Sequence, residues 1–277
     1  MKHLIFLIFP FCLACQPAAD TAQQGTQADT IGYTGNHLTE KKDTSDLEKA
    51  RAMGFDTPYL MGQFDPAKHP DFVQVPARYA DREGLLLRKD TYEAFLAMYE
   101  TAQAEGIQLV IRSATRNFNY QKGIWERKWT GQQKLSSGEH AAQAFPDPKE
   151  RALEILKYSS MPGTSRHHWG TDIDLNAFNN RYFEEGKGQK IYAWLTANAP
   201  KFGFCQPYSP KGPERPNGYN EEKWHWSYLP VAQPLTALAR AELQDGMISG
   251  FKGATTATSI QVVDNYVLGI SDLCIEK

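Results

Sequence analysis

The stretch SRHHWGTDIDL, residues 165–175, places two histidines and two aspartates close together in a chain of 277 residues that holds seven histidines in all. A second stretch, EEKWHWSYL at 221–229, adds another histidine and two glutamates. Two imidazoles and one carboxylate make a suitable catalytic zinc set: three protein donors, with a fourth position left for water. Zinc lowers the pKa of such a water towards about 7. A glutamate that is not a ligand can take that proton and hand it to a departing amine.

The spacing decides which of these residues can meet. TDIDL alternates as a strand does, so Ile173 and Leu175 go to the core while Asp172 and Asp174 take the other face. His167 lies seven residues before Asp174, an odd separation that an unbroken strand would send to opposite faces. Gly170 allows the bend that turns His167 back over the strand, and His168 then points away. In KWHWSYL, Trp224, Trp226 and Tyr228 share one face, His225 and Ser227 the other, and Glu222 stands three residues before His225. His167, Asp174 and His225 are therefore the candidate ligands of a Zn2+ ion, and Glu222 the candidate base. Each stretch alone also fits a polar turn or a packed strand; the two together supply every part of a metal hydrolase.

Several elements would carry these residues. Asp90 can cap a helix, with Glu93 completing a capping box, an apolar stripe of Tyr92, Phe95, Leu96, Tyr99 and Ala102, and Gly106 as its stop. IQLVIRS, 107–113, reads as a strand. Further helices are expected over 117–129 behind Asn117, from Pro148 to about 160, over 190–203 up to Gly203, from 234, and over 256–270. Helices grouped around a few short strands predict an α+β fold with a small, mainly antiparallel sheet.

Composition narrows the class. A net charge of −2 and 41% hydrophobic residues fit a globular protein with no electrostatic grip on nucleic acid. The N-terminus, MKHLIFLIFPFCLAC, joins Lys2 to an apolar run too short to span a bilayer, as in a signal peptide over residues 1–14. Ala14–Cys15 resembles a lipoprotein cleavage site, which predicts an exported chain held at the membrane only by a lipid on Cys15. Residues 15–46 are polar and read as a flexible tether, leaving 47–277 as the folded domain. Cys205 and Cys274 remain, either as free buried thiols or, as export favours, as a disulfide.

The pattern S-x-H-x-x-G-x-x-x-D followed by E-x-x-H-W resembles the zinc D-alanyl-D-alanine carboxypeptidases of the VanY type. Here it falls on Ser165, His167, Gly170, Asp174, Glu222, His225 and Trp226. Upstream, SATRNFNYQ resembles that family's S-G-Y-R-S-x-x-x-Q segment through Ser113, Arg116 and Gln121. The resemblance implies a hedgehog/DD-peptidase-like fold. It implies hydrolysis of peptidoglycan stem peptides at the terminal D-alanine, with zinc on His167, Asp174 and His225 and Glu222 as base and acid. L,D-carboxypeptidase or endopeptidase action on the same substrate, or a non-catalytic peptidoglycan-binding lipoprotein, are the alternatives. Arg116 would steady the oxyanion or the substrate carboxylate, a role that also suits a guanidinium just before a helix N-terminus. Ser165, Gln121 and Ser113 would orient substrate. One position departs from the family, which has a small residue where this chain has Asp172. The polar segment 130–148, with His140, is a candidate loop over the cleft.

Overall fold

The structure, a computed structural model, describes residues 34–275, with side chains from Asp43 onward. Cys15 and the expected signal peptide lie outside the described residues. The helices are α1 (Thr34–Ala52), α2 (Thr57–Leu60), α3 (Lys89–Ala104), α4 (Phe118–Trp129), α5 (Ala141–Ala144), α6 (Pro148–Ile155), α7 (Gly186–Asn198), α8 (Leu229–Glu242) and α9 (Ala257–Ile260). The strands are β1 (Phe72–Gln74), β2 (Leu86–Arg88), β3 (Ile111–Ser113), β4 (Asp172–Leu175), β5 (Phe204–Cys205) and β6 (His225–Tyr228). This is the α+β class the pattern of elements predicts.

The element that matters for function is a four-stranded sheet in the order β3-β4-β6-β5, antiparallel at every junction. Its apolar face carries Ile111, Ile173, Leu175, Trp224 and Trp226 into a core with Phe95 and Met98 of α3 and Ile191 and Leu195 of α7. The register pairs Ile173 with Trp226 on that face. On the other face it pairs Asp174 with His225, Asp172 with Ser227, and Ser113 with Asp174. Residues paired across antiparallel strands share a face, so three strands deliver Ser113, Asp174 and His225 as one polar row. A second core gathers Trp125 of α4, Ile155 of α6, Leu235 and Leu238 of α8 and the C-terminal turns. Cys205 on β5 and Cys274 are disulfide-bonded, closing a 69-residue separation that encloses β6 and α8.

Several boundaries differ from the sequence expectation. Residues 34–46, read as tether, are the first part of α1. Its Asp43 pairs with Arg240 of α8, and Leu47 packs against the core. The cap of α3 is Arg88 rather than Asp90, because the Arg88 guanidinium is buried and held by Asp90 at 2.9 Å and by the Tyr59 hydroxyl at 3.1 Å. Asn117 does cap α4, accepting from Tyr120 N–H at 2.9 Å. Helix α8 begins at Leu229 and runs through Pro234. Proline removes the N–H that would reach the Pro230 carbonyl, and the Lys49 ammonium donates to that carbonyl instead, at 2.9 Å. The expected helix over 256–270 is broken at Gln261, whose φ of 54° takes it out of helical geometry.

Candidate metal centre

His167 arrives on a 3₁₀ turn, Arg166–Trp169, that ends at Gly170 with a φ of 74°. This is the bend the odd spacing requires. A Cβ at Gly170 would lie 2.5 Å from Phe72 Cε1 and 2.7 Å from Arg88 Cγ. Backbone strain and crowding therefore act together. Gly170→Ala is expected to cost about 2 kcal/mol, a fall in Tm of roughly 4–8 °C by calorimetry; an unchanged Tm would show that the bend tolerates a side chain.

Both histidines of the turn are locked to the chain that follows β3. His167 Nδ1 is 2.8 Å from the Ala114 carbonyl, and His168 Nδ1 is 2.5 Å from the Arg116 carbonyl. The Arg116 N–H in turn donates to the His167 carbonyl at 3.0 Å. His168 Nε2 accepts from the Gly163 N–H at 3.0 Å, and burial depresses its pKa to about 3, so the ring stays neutral. His168 is thus no ligand: it pins the backbone of Arg116.

With Nδ1 of His167 donating to a carbonyl, Nε2 is free to face the polar row. It stands 3.3 Å from Asp174 Oδ2, and His225 Nδ1 stands 3.1 Å from Asp174 Oδ1. The three residues offer donor atoms all within 4.8 Å of one another, and all three side chains are buried. His167 Nε2 and Asp174 Oδ1 make no well-formed hydrogen bond among the described residues and face only the other members of the set. Buried polar atoms without partners are costly, and here they converge with the nitrogen and oxygen donors that zinc accepts. The residues fit a divalent ion.

Asp172, the departure from the family pattern, lies beneath this set with no exposed surface. Its Oδ2 is 2.7 Å from His225 Nε2 and 3.3 Å from Arg166 Nε, while its Oδ1 accepts from Ser227 and Thr171 hydroxyls, each at 2.7 Å. The carboxylate is fully partnered. It fixes His225 with Nε2–H pointing away, which leaves Nδ1 for a metal. Arg166, equally buried, also donates to Ser227 at 2.9 Å and Thr236 at 3.0 Å. Its guanidinium compensates the negative charge that Asp172 brings close to the ligands. Arg166, Ser227 and Thr236 carry no motif of their own, and their part in the site is visible only in the fold.

Electrostatics follow from this crowding. Burial alone would raise the Asp174 carboxyl, but the imidazoles of His167 and His225 outweigh it and hold it well below the usual carboxylate range. Burial would likewise depress His225, yet Asp172, Asp174 and Glu222 together raise it well above its ordinary value. Glu222 stands beside the set, its Oε2 3.4 Å from His225 Nδ1, and burial pushes its carboxyl up.

These groups open onto a cleft of about 680 Å³, also lined by Arg116, Gln121, Lys128, Tyr158 and Ser160. Arg116 Nη1 is 3.2 Å from Ser113 Oγ and 3.8 Å from Asp174 Oδ2. Gln121 is fixed by donating to the Ser160 carbonyl at 2.8 Å. Ser165, expected to meet substrate, is instead buried at the start of the 3₁₀ turn and does not line the cleft. Of the polar segment, Gln133–Ser136 reach the cleft, whereas His140 turns aside to the Gly131 carbonyl at 2.6 Å.

A His-Asp-His set drawn from a turn and two strands, with a carboxylate beside it and a guanidinium facing it, defines a candidate metallohydrolase centre. Residues 84–231 match the VanY D-alanyl-D-alanine carboxypeptidase family, and the chain belongs to it. It is 28% identical over 134 residues to the D-alanyl-D-alanine carboxypeptidase of Enterococcus faecalis, a match covering 48% of this chain and 45% of that relative. The candidate carboxypeptidase YodJ of Bacillus subtilis is 25% identical over 225 residues, covering 77% and 74%. Among solved structures, a vancomycin-resistance D,D-pentapeptidase VanY variant in complex with Zn(II) is similar at 25% identity and a TM-score of 0.42, covering 58% of this chain and 85% of that one.

Proposed function

We propose that this chain is a zinc-dependent carboxypeptidase that removes the terminal D-alanine from peptidoglycan stem peptides. The observation that carries the reading is the convergence of buried donors from His167, Asp174 and His225, with Glu222 beside them but outside the set. A bound zinc ion would supply polarisation of the scissile carbonyl and acidification of the attacking water. Glu222 takes a proton from that water as its oxygen bonds to the carbonyl carbon. It then returns the proton to the amide nitrogen as the C–N bond breaks, so the departing D-alanine leaves as an amine. Arg116 faces the negative charge that develops on the carbonyl oxygen. Asp172 keeps the His225 ring from turning, and Ser113 and Gln121 hold Arg116 and the cleft wall in place.

The N-terminal pattern ending at Cys15 supports export and a lipid anchor, which would put the site near its cell-wall substrate. No helix among the described residues is long and apolar enough to cross a membrane.

Mass spectrometry of muropeptides before and after incubation with zinc-loaded protein tests the reading. Pentapeptide stems are expected to lose one alanine, and a chelator is expected to stop the loss. Cleavage at another stem bond would reassign the specificity, and no cleavage of any stem bond would sink the proposal.

A further inference from the structure

The chain between β5 and β6, residues 206–222, brings Tyr208, Tyr219 and Glu222 to the cleft. Loops are ordinarily the mobile part of a fold, yet this one carries the candidate base. Its two ends are closed on each other. The Glu222 N–H donates to the Tyr208 carbonyl at 2.9 Å, and Gln206 Nε2 donates to the carbonyls of Tyr208 and Glu222, each at 3.2 Å. The buried Arg215 guanidinium braces the loop from within, donating to the carbonyls of Ser209, Asn217 and Tyr219.

The back of the loop is covered by a strap, residues 263–275, that lies beyond the 84–231 span matching the family. The Ser271 N–H donates to the Pro207 carbonyl at 2.8 Å, close to the Cys205–Cys274 disulfide. Gly269 backs onto Gly218, where a Cβ would collide with the Gly269 carbonyl. The Tyr266 ring packs on Tyr219 at 5.2 Å between centroids, Tyr219 on Tyr208 at 4.9 Å, and Tyr208 on His225 at 4.7 Å. A row of rings thus runs from the strap to the metal set, and it passes through the residue whose carbonyl fixes Glu222. Resting on the peptidase reading above, we propose that the strap positions the base: Tyr266, Gly269 and Cys274 hold the loop so that Glu222 stands beside the metal set. The candidate ligands have anchors of their own. His167 is tied to the Ala114 carbonyl at 2.8 Å, Asp174 lies within β4, and His225 is held by Asp172 at 2.7 Å. Loosening the strap should therefore separate turnover from metal binding.

Hydrogen exchange followed by mass spectrometry tests the strap without any turnover. In the zinc-loaded double variant C205S/C274S, amides of 206–222 are expected to exchange about tenfold faster or more, while those of β4 stay slow. In the same protein kcat for D-alanine release is expected to fall about 10- to 100-fold, the effect of a catalytic group displaced by about 1 Å. KM and zinc affinity are expected to stay within about threefold, because His167, Asp174 and His225 keep their anchors. A disulfide also supports stability, so each protein is measured well below its own Tm. If the double variant does not fold, Y266A and Y266F decide with the disulfide intact: Y266F keeps the ring contact and kcat, and Y266A repeats the double variant's pattern. Unchanged exchange in the loop, an unchanged kcat, or a fall in kcat matched by loss of zinc overturns the proposal. Absence of hydrolysis by the unsubstituted protein would instead sink the peptidase reading, and exchange and zinc affinity would still judge whether the strap holds the loop.

Discussion

Glu222→Gln is expected to lower kcat about a thousandfold while zinc still binds at one ion per chain. The side chain lies outside the donor set, with Oε2 3.4 Å from His225 Nδ1, so its loss removes no ligand. The amide keeps the shape of the carboxylate but cannot take a proton from water or carry one to the leaving nitrogen. Burial of Glu222 raises its carboxyl, which brings its affinity for a proton nearer to what a shuttle at neutral pH requires. Release of D-alanine measured alongside elemental analysis separates the two effects. A variant that keeps both zinc and turnover would place the base elsewhere, and loss of zinc would make Glu222 a ligand.

Asp172→Ala is expected to cost about 3–5 kcal/mol of stability, because it leaves the Arg166 guanidinium buried without its carboxylate. The same change releases His225 Nε2 from its 2.7 Å partner and is expected to weaken zinc binding about 10- to 100-fold. The two effects come apart in the double variant Arg166→Met with Asp172→Ala. Removing both charges should restore much of the stability, yet zinc affinity should stay low, since nothing then orients the imidazole. Urea denaturation and competition with a chelator read the two separately. If the double variant regains full zinc affinity, Asp172 acts only as the partner of Arg166 and not on His225.

Much of this site was legible in two short stretches of sequence. Strand alternation separates Ile173 and Leu175 from Asp172 and Asp174, and the odd interval between His167 and Asp174 needs a bend that only Gly170 could supply. Those inferences are local, and local geometry decides them. The buried network under the site was not legible in the same way. Arg166 meets Thr236 and Ser227 across separations of 70 and 61 residues, and no periodicity links such positions. The role of Asp172 was open for the same reason: whether its charge disturbs the ligands depends on a cation that the fold brings to it. Helix ends misled where tertiary contacts outweigh local preference. Asp90 has the composition of a cap, but its carboxylate is engaged by Arg88. Pro234 has the composition of a helix start, but Lys49 satisfies the carbonyl that the proline leaves bare.

The candidate ligands come from a turn and two strands, and their meeting depends on the alignment that sets Asp174 against His225. A slip of one residue between β4 and β6 would swap polar and apolar sides, driving Asp174 into the tryptophan layer and scattering the donors. Neither stretch of sequence brings the trio together by itself, and a mispaired fold would not either. On the function proposed above, metal uptake would therefore act as a proofreading step, rewarding the one strand pairing that gathers the donors.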